Sequence, residues 1–316
     1  MAVPEEKMTF RTTDIPDEWF VKKQKNLYEA EKVAKPSQSY WQDAWRRLVK
    51  NKLAMAGLCF LILLILMAIA GPIIAPHSMD NDITNQNQPP SIDHWFGTDD
   101  LGRDVFTRTW VGARISLFVG FVAALIDFAV GVTYGGIAGY KGGRTDNIMM
   151  RIIEVLYGLP YLLVVILLLV VMGPSLFTII AALSATGWIG MARIVRGQVL
   201  QLKNYEFVLA SKSFGTSTTR IIRKNLLPNT MGPIIVQMTL TVPSAIFAET
   251  FLSFLGLGIQ PPDASWGLMV NNGLTTILSG HWWRLFFPAL FISLTMFSFN
   301  VLGDGLQDAL DPRLRR

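Results

Sequence analysis

From residue 53 onward, long apolar runs alternate with short polar stretches. The first run, 53–75, carries no charge, and its 23 residues at 1.5 Å each span roughly 35 Å, enough to cross a hydrocarbon core of about 30 Å with tilt. Further runs follow at 115–140, 152–172, 176–192, 231–258 and 285–303, interrupted only by Asp127, Glu154 and Glu249. The pattern predicts an all-α polytopic membrane bundle of six transmembrane helices. Pro160 and Pro243 fall within the third and fifth runs and are expected to kink them.

Ahead of the first run, residues 40–52 place Trp41, Ala44, Trp45 and Leu48 at helical spacing, with Arg46, Arg47 and Lys50 around the remainder. That spacing predicts an amphipathic helix lying in the cytoplasmic interface. Residues 1–39 mix both charge signs without periodicity and read as a loosely ordered cytoplasmic extension. No apolar segment follows a basic start there, so the amino terminus is expected to stay in the cytoplasm.

Composition supports a membrane protein: 51% of the chain is hydrophobic and 16% charged, against about 25% in an ordinary soluble domain. The basic residues set the orientation, because Lys and Arg are retained on the cytoplasmic side. With both termini inside, 24 lie in cytoplasmic segments and four outside: Arg103, Arg108, Arg114 and Arg284. This placement accounts for the net charge of +5 without invoking nucleic acid. Segment 76–112 becomes an extracytoplasmic loop, 113–306 a core with five of the spans, and 307–316 a cytoplasmic tail. The single cysteine, Cys59, is expected to be a small buried hydrophobe. His77, His94 and His281 have no partner at metal-ligand spacing, so no metal site is expected. Nor does any Ser-His-Asp or paired-carboxylate constellation point to an enzyme.

The longest internal cytoplasmic loop, 197–229, reads as two short helices broken at Gly215. On the first, Phe207, Ala210, Ser211 and Phe214 share a face at i, i+3, i+4, i+7, a small-residue stripe with aromatic ends. Such a helix suits a groove on a soluble partner or packs back on its own bundle. The arrangement Glu206…Ala210…Gly215…Leu227-Pro228 resembles the cytoplasmic EAA loop of permease subunits of bacterial ABC importers. Leu209, Ala210 and Ser211 stand where that motif has its Glu-Ala-Ala triplet, and Asn225 stands where it has Ile.

The outer string Gly97-Thr98-Asp99-Asp100-Leu101-Gly102-Arg103-Asp104, followed by Gly112-Ala113-Arg114, is similar to the "C" permease subunit of the peptide-importer branch of that family. So are Ala138-Gly139-Tyr140-Lys141-Gly142-Gly143 with Asp146 and Arg151, Leu252-Ser253-Phe254-Leu255-Gly256, Ser265-Trp266-Gly267 and the tail Asp311-Pro312-Arg313. The resemblance covers about residues 40–316. It implies a type I importer-like permease in the bacterial cytoplasmic membrane. Its partners would be a second homologous permease subunit, two cytoplasmic ATPase subunits and an extracytoplasmic peptide-binding protein.

It also implies that Glu206, Phe207, Ala210, Ser211, Phe214, Gly215 and Pro228 couple the chain to the ATPase. ATP and Mg would be bound by those ATPase subunits, because this chain has no GxxxxGK[ST] phosphate loop and is expected to carry no cofactor. The substrate expected is an oligopeptide, with dipeptides, nickel chelates, glutathione or cell-wall peptides as alternatives. A gradient-driven secondary transporter is the alternative from a different class.

The acids inside the spans are expensive in lipid and must face protein or a cavity. Glu154 lies one turn from Arg151 and is expected to pair with it. Glu249 and Asp127 are candidates to line the pathway; Glu249 would meet a substrate amino group or make an intersubunit hydrogen bond. The six acids of loop 76–112 offer a surface for the binding protein or are simply solvated. Segment 260–284, with Trp266, Trp282 and Trp283, reads as a re-entrant or interfacial stretch anchored by indoles at the headgroup level.

Overall fold

The computed structural model describes residues 40–77, 79–261 and 263–311. Residues 1–39 and the Pro312-Arg313 motif lie outside them. The chain divides into two compact units, 1–43 and 44–316; only the opening of the first helix is described in the former.

The helices in chain order are α1 (Tyr40–Lys50), α2 (Lys52–Ile74), α3 (Val105–Lys141), α4 (Gly143–Gly158), α5 (Tyr161–Met172), α6 (Leu176–Leu202), α7 (Glu206–Ser213), α8 (Thr218–Ile221), α9 (Leu227–Phe254), α10 (Trp266–Leu274) and α11 (Trp283–Leu310). Five helices, α2, α3, α6, α8 running into α9, and α11, are long and apolar enough to cross a membrane. The pair α4–α5, bent by 82°, makes a sixth when counted as one broken span. The break falls at Pro160, whose ring forces Leu159 into extended backbone (φ −76°, ψ 131°). Pro243, expected to act likewise, lies inside an unbroken α9, where Thr241 and Ser244 return their hydroxyls to the carbonyls of Gln237 and Leu240.

Contacts between helices order their ends. Gly57 lies against the Ser298 carbonyl and Gly305 against Ala54, so the start of α2 meets the end of α11. At the other end of α2, Gly71 packs on the Trp110 ring, and Arg114 donates to the carbonyls of Ala68 and Ile69. Helices α3 and α6 run side by side in the same direction. Gly131, Gly135 and Gly139, one turn apart, press against Met191, Ala192 and Arg196; a Cβ at Gly135 would collide with the Ala192 carbonyl oxygen. Glycine there allows the close backbone approach on which membrane helix pairs depend. The polar end of this pair is clamped by Lys203 on the Gly139 carbonyl, and Arg196 beside it ties α6 to α4, gripping the Asp146 carboxylate through two bonds of 2.5 and 2.7 Å.

Helix α2 buries a single stripe, Ala54, Gly57, Leu61, Leu64, Ala68 and Gly71, whose alternating steps of three and four keep them on one face. Cys59 falls off that stripe and is exposed on the surface of the chain, contrary to its expected burial. Of the α1 residues within the second unit, Ala44 and Leu48 are buried while Trp45, grouped with them by spacing, is exposed. Several helices outrun the apolar runs: α3 begins ten residues earlier than expected, and α11 continues to Leu310, taking in the start of the segment expected as tail.

Candidate coupling and translocation sites

Loop 197–229 contains the two short helices expected of it, α7 and α8. Gly215 ends α7 at φ +70°, its N–H donating to the Lys212 carbonyl while that of Thr216 reaches Ser211. This is a Schellman closure, which requires a left-handed residue where glycine stands. A π turn, Ile222–Leu226, then runs into α9 just ahead of Pro228, whose missing N–H interrupts the ordinary helical ladder.

Val208, Ile221 and Leu226 plug the loop into a cluster with Val132 of α3, Val195 and Val199 of α6, and Ile234 of α9. Asn225 of the π turn holds α7 through Ser211. What remains outward is an apolar edge: Phe207, Leu209, Ala210 and Phe214 are exposed, Phe214 by 87%, with Glu206, Gly215 and Pro228 also at the surface. Ser211, grouped with these by spacing, is half-buried and donates to the Phe207 carbonyl.

The two intramembrane acids separate. Glu249 is fully buried within the chain and accepts hydrogen bonds from Ser253 (2.9 Å), Ser265 (2.8 Å) and Ser116 (3.3 Å). It knots α9 to α3 and to the start of α10. Within this chain, serines from three segments already occupy its oxygens, so neither a substrate amino group nor a second subunit is needed to satisfy it.

Asp127 instead lines a cleft of about 420 Å³ formed by α3, α5, α6 and α9. Tyr161, Thr186, Gln237, Thr241 and Ser244 share its wall. Sequence reasoning missed these residues, although Gln237, Thr241 and Ser244 recur at i, i+4, i+7 in an otherwise apolar span. Arg151 and Glu154 pair at 2.9 Å, as their spacing requires.

The outer string folds as a plug. Gly97 and Gly102 adopt φ +75°, and a Cβ on Gly102 would collide with the Asp82 carbonyl. Asp99 is buried and accepts from the N–H groups of Leu101 and Arg103, the Arg103 side chain and Arg108. Burial alone would raise its carboxyl, but Arg108, Arg103 and the two N–H groups outweigh this and hold it below the usual carboxylate range. Asp104 caps α3 through Thr107 and meets His94 Nδ1 at 3.1 Å.

The expected indole anchors are corrected here. Trp266 and Trp283 are buried, donating to the carbonyls of Thr109 and Thr98, and only Trp282 is exposed. A buried indole N–H needs a partner, and loop carbonyls supply it. Of the loop acids, Asp80, Asp82, Asp93 and Asp100 remain at the surface.

Residues 131–316 match the family of binding-protein-dependent transport system inner membrane components, and residues 39–90 match the N-terminal transmembrane domain of oligopeptide transport permease C. The chain is 74% identical to the dipeptide transport system permease protein DppC of Bacillus subtilis over 99% of its length and 98% of that protein. It is 58% identical to the oligopeptide transport system permease protein OppC of the same organism, over 96% and 99%. Identity to the OppC of Escherichia coli K12 is 43%, over 90% and 95%. The buried outer plug, the bundle of apolar helices and the exposed loop between α6 and α9 are thus those of a member of the family of inner-membrane components of binding-protein-dependent transport systems.

Proposed function

We propose that this chain is one of two homologous membrane subunits of an ATP-driven importer of short peptides in the bacterial cytoplasmic membrane. Its partners are the second permease subunit, two cytoplasmic ATPase subunits that bind ATP and Mg, and an extracytoplasmic peptide-binding protein. The observation that carries the reading is the apolar edge Phe207–Ala210–Phe214, presented outward by a loop rooted between two spans. An exposed helical edge on a rigid base fits a groove in an ATPase subunit.

Closure of the ATPase pair displaces α7. Because Val208, Ile221 and Leu226 tie it to α3, α6 and α9, these helices rotate together and switch the access of the cleft they enclose. ATP must favour one of the two states for this to do work. The cleft lined by Asp127 is this subunit's share of the passage, and the outer plug with its surface acids faces the binding protein. The relatives named for dipeptides and for oligopeptides both support a peptide, and the higher identity to the former favours a dipeptide as the second, narrower reading.

The test is Ala210→Asp in the complex reconstituted in proteoliposomes. The complex is expected to assemble, with peptide uptake and peptide-stimulated ATP hydrolysis both lost. Unchanged stimulation by this variant would remove α7 from the coupling.

A further inference from the structure

Asp127 differs from every other buried acid among the described residues. Asp99, Asp104, Asp146 and Glu249 each accept hydrogen bonds from named donors, whereas Asp127 is 4% exposed and its Oδ1 has no hydrogen-bond partner in the described chain. Leaving a carboxylate oxygen unpaired in a low-dielectric interior is costly, so the site is built to receive a donor. Helix α6 makes room for it: a Cβ on Gly187 would stand 2.7 and 2.8 Å from the two carboxylate oxygens.

The setting identifies the donor. Asp127 lies roughly 20 Å along α3 from its end at Lys141, near the middle of the crossing. It faces a cleft, and no Lys, Arg or His lines that cleft among the described residues. The Tyr161 hydroxyl, on the same wall, likewise lacks a partner. On α9, the Thr241 and Ser244 hydroxyls donate to their own helix and keep acceptor lone pairs. One negative group among neutral hydroxyls and an amide is a site for a single cation with several N–H donors.

We propose that Asp127 receives the amino-terminal ammonium group of the peptide as it crosses the membrane, with the Tyr161, Thr241 and Ser244 oxygens accepting its remaining protons. The ammonium is the one group common to unmodified peptides whatever their side chains, so a site for it serves the whole class. Its counter-charge lowers the barrier that desolvation at the bilayer centre would impose. The inference rests on the peptide-import reading above. A basic side chain of the second permease subunit is the other source of the same chemistry.

Asp127→Asn and wild type are compared in the full reconstituted complex, using two peptides supplied preloaded on the binding protein at equal concentration, one with a free amino terminus and one acetylated. Asp127→Asn is expected to slow uptake of the free-amine peptide about tenfold more than uptake of the acetylated peptide. Gly187→Ala keeps the charge but displaces the carboxylate, and is expected to give a smaller loss with the same preference. Equal loss for both peptides, or no loss, overturns the proposal. So does failure of the Asp127→Asn complex to hold its second permease subunit, which would assign the carboxylate to a subunit ion pair. A wild-type complex that takes up neither peptide would instead overturn the peptide-import reading.

Discussion

Asn225 donates its side-chain amide to Ser211 Oγ at 3.0 Å, closing a span of 14 residues between the end of the exposed loop helix and the turn that leads back into the membrane. Ser211 passes the bond on to the Phe207 carbonyl. Two of the residues by which this chain departs from the general motif, Ser211 and Asn225, thus form the bond that joins the two halves of the loop.

Asn225→Ala is expected to cost about 1 kcal/mol of loop stability and to lower the number of peptides moved per ATP, because α7 can then shift without carrying α9. Simultaneous measurement of uptake and ATP hydrolysis checks this. An unchanged ratio would mean that the Val208, Ile221 and Leu226 plug suffices alone.

Gly215 tests the shape of the loop apart from its contacts. A Cβ there meets nothing within 4 Å in the chain, yet φ is +70°. Gly215→Val therefore introduces backbone strain of roughly 1–2 kcal/mol without an internal clash. Folded yield in detergent is expected to hold while recovery of the ATPase subunits with the chain falls. Pull-down stoichiometry reads both.

The outer plug is expected to depend on pH through Asp99. Its carboxyl titrates lower in the folded chain than in the unfolded one, so the stability it contributes is fully present above the unfolded value of about 3.9 and is lost as pH falls through the depressed folded value. Hydrogen-exchange protection factors of the Leu101 and Arg103 amides should therefore persist from neutrality to about pH 4 and collapse below it. Asp99→Asn leaves Arg108, 4% exposed, without its counter-charge and is expected to destabilise the plug by about 3–5 kcal/mol at neutral pH.

Along the α3–α6 seam, Gly135→Val would drive a methyl-bearing carbon into the Ala192 carbonyl, costing at least about 1–3 kcal/mol. Gly197→Ala on α6 meets nothing within 4 Å and is expected to be neutral. Thermal unfolding in detergent, compared between these two, separates close approach from glycine content.

The spans were legible because an uncharged apolar run of membrane length can shed its contact with water in few ways besides crossing a bilayer, but their ends were not. Residues 105–114 look like loop, with two arginines and two threonines, and become helix because Arg108 finds Asp99 and Thr107 finds Asp104. Tryptophans beside charges look interfacial until the carbonyls that Trp266 and Trp283 reach are known. Asp127 and Glu249 are alike in one dimension, each a lone acid in an apolar run. Three serines, one of them 133 residues distant in the chain, make the difference. Phe207, Ala210 and Phe214, grouped by spacing, are all exposed, whereas Ser211 of the same group is half-buried because its partner Asn225 comes from beyond that helix, which spacing within the helix does not reveal.

The glycine seam and the Lys203–Gly139 bond make α3 and α6 a single stiff plank, to which Arg196 ties α4 through Asp146, while the chain between them passes through the 82° elbow at Pro160. Compliance in this subunit is therefore concentrated where the helical ladder is cut. On the lever reading proposed above, the plank would tilt as one body, with the elbow taking up the change in angle.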